Sequence, residues 1–259
     1  MNYGLYISAS GALNAVHRQD LYSSNLANLN TVGFKPDIAT TRQRDAARIE
    51  DDLGYLPSNA MLERLGAGVM AAPTRTDFTQ GVIRSTDNEL DLAIRGDGFF
   101  TFIAEQDTSG NRLRLSRDGR FALDGGGRLV SATSGMPVAG TNGQPIRLTN
   151  TGAVTINPDG AIIQNGETVA SLSLTTVPNR SMLRKGPDGL FVADQSQLAN
   201  RRQAEGHVEQ RAVEEAAVNE IDALMAIESA SRDAQANLGM ISYHDRLLDQ
   251  AINRFARVG

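Results

Sequence analysis

The sequence predicts an α+β protein: long N- and C-terminal helices forming a coiled-coil-like layer, with a central antiparallel all-β domain. Three observations carry this prediction. Residues of about 3–30 and about 208–257 carry apolar stripes at helical spacing. Between about 82 and 200 the period changes to two, with turn residues at close intervals. Both termini therefore fall in the same helical layer, and the helices have little beside them to form a core. The layout divides into residues 1–35 (N-terminal helix), 36–80 (an extended connecting segment), 81–200 (the β domain) and 201–259 (C-terminal helix).

The N-terminal helix places Leu5, Ala9, Ala12, Val16 and Leu26 on one face, interrupted by Gln19 and Ser23, with Tyr6 and Leu13 on the neighbouring row. Its small residues Ser8, Ala9, Ser10, Gly11 and Ala12 would let another helix approach closely. The expected end is near Asn30, with Gly33 as a left-handed residue just past it and Phe34 folding back on the last turn. Asn25, Asn28 and Asn30 are poor helix formers. Their pattern fits equally a frayed, capped end and a hydrogen-bonded layer that fixes helix register.

The segment 36–80 is broken by Leu53-Gly-Tyr-Leu-Pro57 and Gly66-Ala-Gly68. Asp37–Asp52 reads either as helix or, from Thr40-Thr41 and the repeated Arg, as an exposed strand or loop. Alternating runs follow: 89–94, 99–103, 112–115, 128–130, 152–156 and 171–175. An Asp-Gly turn recurs in Arg117-Asp-Gly-Arg-Phe121, Pro158-Asp-Gly-Ala-Ile162 and Pro187-Asp-Gly-Leu-Phe191. Such turns supply the positive φ of tight hairpins. The C-terminal stripe runs Val213, Ala217, Leu224, Ile227, Ala234, Leu238, Ile241, Leu248, Ile252 and Phe255, interrupted by Glu220, Ser231 and Asp245. A helix this long cannot bury its stripe on itself.

Composition narrows the function. Hydrophobic residues make up 41% of the 259, enough for a packed core, but aromatic residues only 5%. The net charge of −5 and the lack of clustered Lys and Arg argue against a nucleic-acid surface. With no cysteine, thiolate catalysis and Cys-ligated zinc are excluded. No run reaches the ~18–20 apolar residues of a membrane span. The opening residues lack the pattern of a secretory signal, so if the protein leaves the cytoplasm it does so by a route without a cleaved signal peptide. His17, His207 and His244 have no ligand-spaced partners. The carboxylates Asp87, Glu89 and Asp91 read as the solvated face opposite Leu90 and Leu92. No catalytic residue, metal site or cofactor is assigned, and an enzyme is not expected.

Several motifs resemble those of the bacterial flagellar rod and hook proteins. Asn25-Leu-Ala-Asn28 followed by Thr31-Val-Gly-Phe-Lys35 is similar to the family's N-terminal signature, with Ser24 where the first of two asparagines stands. Asn88-Glu-Leu-Asp-Leu-Ala-Ile94, Gly96-Asp-Gly-Phe-Phe100 and Arg117-Asp-Gly-Arg-Phe121 resemble the blocks that open the β domain. Arg211-Ala212 departs from the family's Ser-Asn before the C-terminal helix.

The resemblance implies a structural subunit of the basal-body rod, self-assembling into the helical driveshaft that transmits torque from motor to hook. It implies partners among copies of itself, other rod and hook subunits, the flagellar type III export apparatus and the bushing rings, in the periplasmic basal body. The expected assembly residues are Leu5, Ala9, Leu13, Val16, Asn25, Leu26, Asn28, Leu224, Ile227, Leu238, Ile241, Leu248 and Ile252, with Gly33 and Phe34 setting backbone geometry. Within the family the alternative is a hook or other axial subunit. Outside it, the alternative is a secreted β-module for glycan binding or adhesion with helical oligomerisation arms, which requires an aromatic platform.

Overall fold

The computed structural model describes residues 3–46, 49, 52, 55, 66–104, 112–149, 152–186 and 188–255. The chain divides into two compact units. One comprises Met1–Ala27, Asp37–Asp77 and Asn219–Gly259; the other comprises Asn28–Pro36 and Phe78–Val218. The apolar breaks expected between residues 53 and 57 lie outside the described residues, apart from Tyr55.

Among its described residues the first unit is built on two long helices and a strand pair. Helix α1 is Tyr3–Ala27, strands β1 (Asp37–Gln43) and β2 (Val69–Thr76) pair antiparallel, and the last helix, α3, is Glu220–Phe255. The helix expected from about 208 starts later, because Val213 lies in a strand. Asn219 decides the start. Its Oδ1 accepts from the Ile221 and Asp222 amides at 3.0 and 3.4 Å, and Glu220 and Asp222 place negative charge in the first turn.

The α1–α3 seam is made of small residues. Gly4 lies against the His244 ring and Gly11 against the Asn237 amide. Arg18 donates to Asp233 at 2.6 Å. Since the α3 number falls as the α1 number rises, the helices are antiparallel. Ser8 and Ala15 are buried on the same face of α1. On α3 the residues that lose surface run Ala223, Ile227, Ala230, Ala234, Asn237, Ile241 and His244, at alternating steps of four and three. This stripe overlaps the expected one only at Ile227, Ala234 and Ile241; Leu224 and Leu238 stand beside it. The hairpin meets α1 at Ser10, whose Oγ accepts from the Val69 amide at 3.3 Å.

The second unit is β-rich. Its strands are β3 (Ile83–Ser85), β4 (Leu92–Arg95), β5 (Phe99–Ile103), β6 (Leu113–Ser116), β7 (Phe121–Leu123), β8 (Leu129–Ser131), β9 (Val154–Ile156), β10 (Ala161–Gln164) and β11 (Glu167–Ser171). There follow β12 (Leu174–Thr176), β13 (Arg184–Lys185), β14 (Phe191–Val192), helix α2 (Gln195–Ala199), β15 (Arg202–Gln203), β16 (His207–Gln210) and β17 (Ala212–Glu214). Among the described residues every strand pairing is antiparallel. A six-stranded sheet runs β13-β14-β6-β5-β12-β15, and a three-stranded sheet runs β11-β10-β9. Three strand pairs complete the unit: β16-β4, β17-β3 and β7-β8.

Strand β5 shows why the run Phe99-Phe-Thr-Phe102 does not alternate apolar and polar: it is buried on both faces. Successive side chains point to opposite faces. Phe100 and Phe102 join the larger core with Leu92, Ile94, Phe121, Leu129 and Ile162. Phe99 joins a second core with Leu115, Leu183 and Phe191. Thr101, buried on the Phe99 side, donates to the Thr175 hydroxyl at 2.9 Å. Phe99, Phe100, Phe102, Phe121 and Phe191 are therefore core residues, which leaves no aromatic platform for a glycan among them.

Two sequence expectations change here. Asp91 is buried and does not sit on a solvated face; it accepts from the Thr86 hydroxyl at 2.9 Å and the Asn88 amide at 2.8 Å. Of the three Asp-Gly turns, Gly160 and Gly189 have positive φ (86° and 75°), but Gly119 does not. Gly119 is required by close approach. A Cβ there would collide with the Leu92 carbonyl oxygen and come within 2.8 Å of the Phe100 ring. Gly119→Ala is therefore expected to destabilise the β unit by about 1–3 kcal/mol through overpacking. Gly125→Ala, which meets nothing within 4 Å, should stay within about 0.5 kcal/mol of the parent. Urea unfolding of the two variants checks the contrast.

Candidate functional sites: a buried ionic junction and an exposed helical surface

The β unit contains a junction of three ionised side chains taken from distant parts of the sequence. Lys35, Arg117 and Glu214 are 1%, 3% and 0% exposed. Lys35 Nζ donates to Glu214 Oε1 at 2.5 Å and to the Thr79 carbonyl at 2.6 Å. The same Oε1 accepts from the Gly81 amide at 2.9 Å. Arg117 Nη1 donates to Glu214 Oε2 at 3.1 Å, and Nη2 donates to the Gly96 carbonyl at 2.8 Å. The guanidinium lies 5.4 Å from the Phe99 ring centroid. Burial pushes the Arg117 guanidinium below its ordinary value, and the Glu214 carboxylate opposes that shift.

The backbone around the junction is tied in parallel. The Gly33 amide donates to the Glu214 carbonyl at 2.7 Å, and the Ala217 amide donates to the Phe34 carbonyl at 3.2 Å. Lys185 donates to the Lys35 carbonyl at 2.5 Å and lies 4.3 Å over the Phe34 ring. Helix α1 ends at Ala27, so Gly33 is not its cap. Gly33 has φ +69°, and a Cβ there would run into the Arg117–Asp118 peptide. The motif Thr31-Val-Gly-Phe-Lys35 is thus a docking segment: Gly33 permits the approach and Lys35 supplies the charge. Sequence reasoning marked Gly33 and Phe34 but missed Lys35, Arg117 and Glu214. The signal available was a lysine inside a specific motif; nothing local marks Glu214 as its partner.

The helical unit presents a different surface. On α1, Tyr6, Leu13 and Val16 are exposed, Leu13 by 72%. On α3, Leu224, Leu238, Leu248 and Ile252 are exposed, by 49, 54, 37 and 65%. Ile221, Met225, Met240, Tyr243 and Leu247 are exposed as well. The other expected residues are covered to varying degrees. Leu5, Ala9, Leu26, Asn28, Ile227 and Ile241 are partly buried. Asn25 is buried, and its amide pairs with the residue-37 backbone: Nδ2 donates to the Asp37 carbonyl at 2.8 Å, and Oδ1 accepts from the Asp37 amide at 3.0 Å. It ties the end of α1 to the start of β1. Asn28 Oδ1 accepts from the Thr31 hydroxyl at 3.1 Å. Among the described residues no group of three or more His, Cys, Asp or Glu could hold a metal ion, and no helix is long and apolar enough to cross a membrane.

Two family models match the chain. Residues 5–35 match the flagella basal body rod protein family, and residues 93–164 match the flagellar hook protein FlgE/F/G D1 domain. The first match ends at Lys35 and the second contains Arg117, two of the three junction residues. The flagellar hook protein FlgE of Treponema pallidum (strain Nichols) is 32% identical over 130 residues, covering 48% of this chain and 26% of that protein. The flagellar basal-body rod protein FlgG of Buchnera aphidicola subsp. Schizaphis graminum is 35% identical over 126 residues, 46% of each chain. The flagellar basal-body rod protein FlgF of Caulobacter vibrioides is 32% identical over 121 residues, covering 47% of this chain and 44% of that protein. The matched stretches thus span less than half the length of these relatives.

Among the described residues Glu214 is the carboxylate in contact with Arg117. Glu214→Gln removes that charge and is expected to destabilise the β unit by about 3–5 kcal/mol, the cost of leaving a buried ion uncompensated. Gly33→Val should destabilise it as well, through both the left-handed φ and the collision with the Arg117–Asp118 peptide. Denaturant unfolding followed by amide signals of the β unit measures both.

Proposed function

We propose that this chain, a member of the flagellar rod and hook family, is a structural subunit of the basal-body rod. It self-assembles into the helical driveshaft that transmits torque from motor to hook. The observation that carries this reading is the apolar surface of α1 and α3. Tyr6, Leu13 and Val16 on one helix, and Leu224, Leu238, Leu248 and Ile252 on the other, are large side chains left exposed although the two helices pair with each other. Large apolar side chains left exposed in such number are what an interaction site would cover. Full burial of such side chains contributes roughly 1.5–3 kcal/mol each before ordering costs are subtracted.

A surface used head to tail between identical subunits generates an open helical filament. Repeated along an axis, a coiled-coil-like layer of such helices would resist twist, as a driveshaft must. The seam chemistry supports a division of labour. Small residues close the pair within the subunit, and large ones face outward to neighbouring copies and other rod or hook subunits. The family supports export by the flagellar type III apparatus and residence in the periplasmic basal body, with the bushing rings as further neighbours. The hook is the second location that the relatives favour, since FlgE proteins are among them.

Leu224→Asp and Leu238→Asp test the surface. Both positions are exposed, so thermal stability of the isolated chain should change little while incorporation into basal bodies and motility fall at least tenfold. Wild-type incorporation by both variants would defeat the assembly reading. A tag in the Gly125–Gly127 turn, located by electron cryo-microscopy of purified basal bodies, is expected at a defined height on the rod; density in the hook would select the second location.

A further inference from the structure

We propose that Glu214 is the closing clasp of the β unit, so that β4 and the Arg117–Gly119 turn reach their final places only when residues 207–217 arrive. The inference goes beyond the functional reading and holds whatever the chain assembles into. Its first support is topological. Strands β3 and β4 open the long segment of the unit, yet their partners come at its end: Arg84 pairs with Val213 and Ile94 with Val208, more than a hundred residues later. Leu92, Ala93 and Ile94 are all fully buried, and they lack this ladder until β16 is present.

The second support is electrostatic. Arg117 is buried, and among the described residues its contacting carboxylate is that of Glu214. A buried guanidinium without its anion is strongly disfavoured relative to one in water. The turn that carries it is therefore held open to solvent until β17 delivers Glu214. A third observation couples the two. The Leu92 amide donates to the Gly119 carbonyl at 2.9 Å, and the Phe121 amide donates to the Leu90 carbonyl at 3.3 Å. The turn and β4 dock on each other, so what delays one delays both.

Segment 31–36 waits on the same event, because the Gly33 amide and Lys35 ammonium both bind Glu214. A chain made from its N-terminus thus keeps its first docking segment unseated until almost all of the β unit exists. The β5–β6 hairpin, whose strands are close in sequence, does not depend on the clasp.

Pulse-labelling hydrogen exchange during refolding of the full chain from urea tests the order. The Leu92 and Phe121 amides do not bond to Glu214, and the carbonyls they donate to, those of Gly119 and Leu90, precede residue 120, so they report the delay without contacting the clasp. The expected result is that both amides gain protection in the same kinetic phase as Val208 and Glu215. Protection of Leu92 at least tenfold faster than Glu215 would overturn the clasp. Glu214→Gln, which keeps the shape and removes the charge, should slow that phase tenfold or more; an unchanged rate in a variant that still folds would also overturn it. Should that variant not fold, the wild-type order alone decides.

Discussion

One buried carboxylate carries the constraint on which the β unit depends. Glu214 is fully inaccessible, and a buried ion must be paired and hydrogen-bonded. Its two oxygens meet an ammonium, a guanidinium and a backbone amide. Those donors come from the segment after α1, from the turn after β6 and from the start of the long β segment. The electrostatic requirement therefore becomes a geometric one: three pieces of backbone must converge on one point. The glycine at 33 and the glycine at 119 serve the same convergence, each removing a Cβ where two backbones meet. An apolar residue at each of the three ionic positions could fill the space, but it would not specify which segments meet.

The helical unit follows a different logic. Its seam uses glycine, alanine and serine, so the two helices lie close and little apolar volume is buried between them. The leucines that a bundle would normally place in its seam stand to the side. A helix pair arranged this way gains little from burying its large apolar side chains. Asn25 is not among the exposed side chains. Its amide is used within the chain, pairing with Asp37 as a strand neighbour would, and Thr76 adds a bond to the Asp37 carboxylate at 2.7 Å.

The two logics meet the comparisons at the same residues. The family segments that match are α1 with its docking motif and the stretch from β4 to β10. They contain Lys35 and Arg117, whereas Glu214 lies outside both. Its role is therefore visible only where the structure brings the three together. The proposal of an axial assembly rests on relatives named as rod and hook proteins together with the exposed helical side chains.

Much of this was legible in the residues alone. Long-period apolar stripes marked both terminal helices, and the two-residue period with Asp-Gly turns marked the β-rich middle, because these patterns are set by local backbone geometry. The runs at 99–103 and 152–156 became β5 and β9 for that reason. The helix start at Glu220 was not legible, since Val213 fits a heptad and a strand equally well; pairing with Arg84 decided it. Nor was the face of α3. Periodicity gives a stripe but not the partner, and small residues on α1 drew in Ala230 and Ala234 in preference to the leucines. Asp91 looked like a surface carboxylate, and nothing local marked Glu214, because burial of a charge depends on donors that are remote in sequence. What the sequence determined by itself was therefore every property set by near neighbours along the chain. The tertiary structure alone decided which charge is buried and which apolar face is left open, because both depend on groups that meet only after the chain has folded.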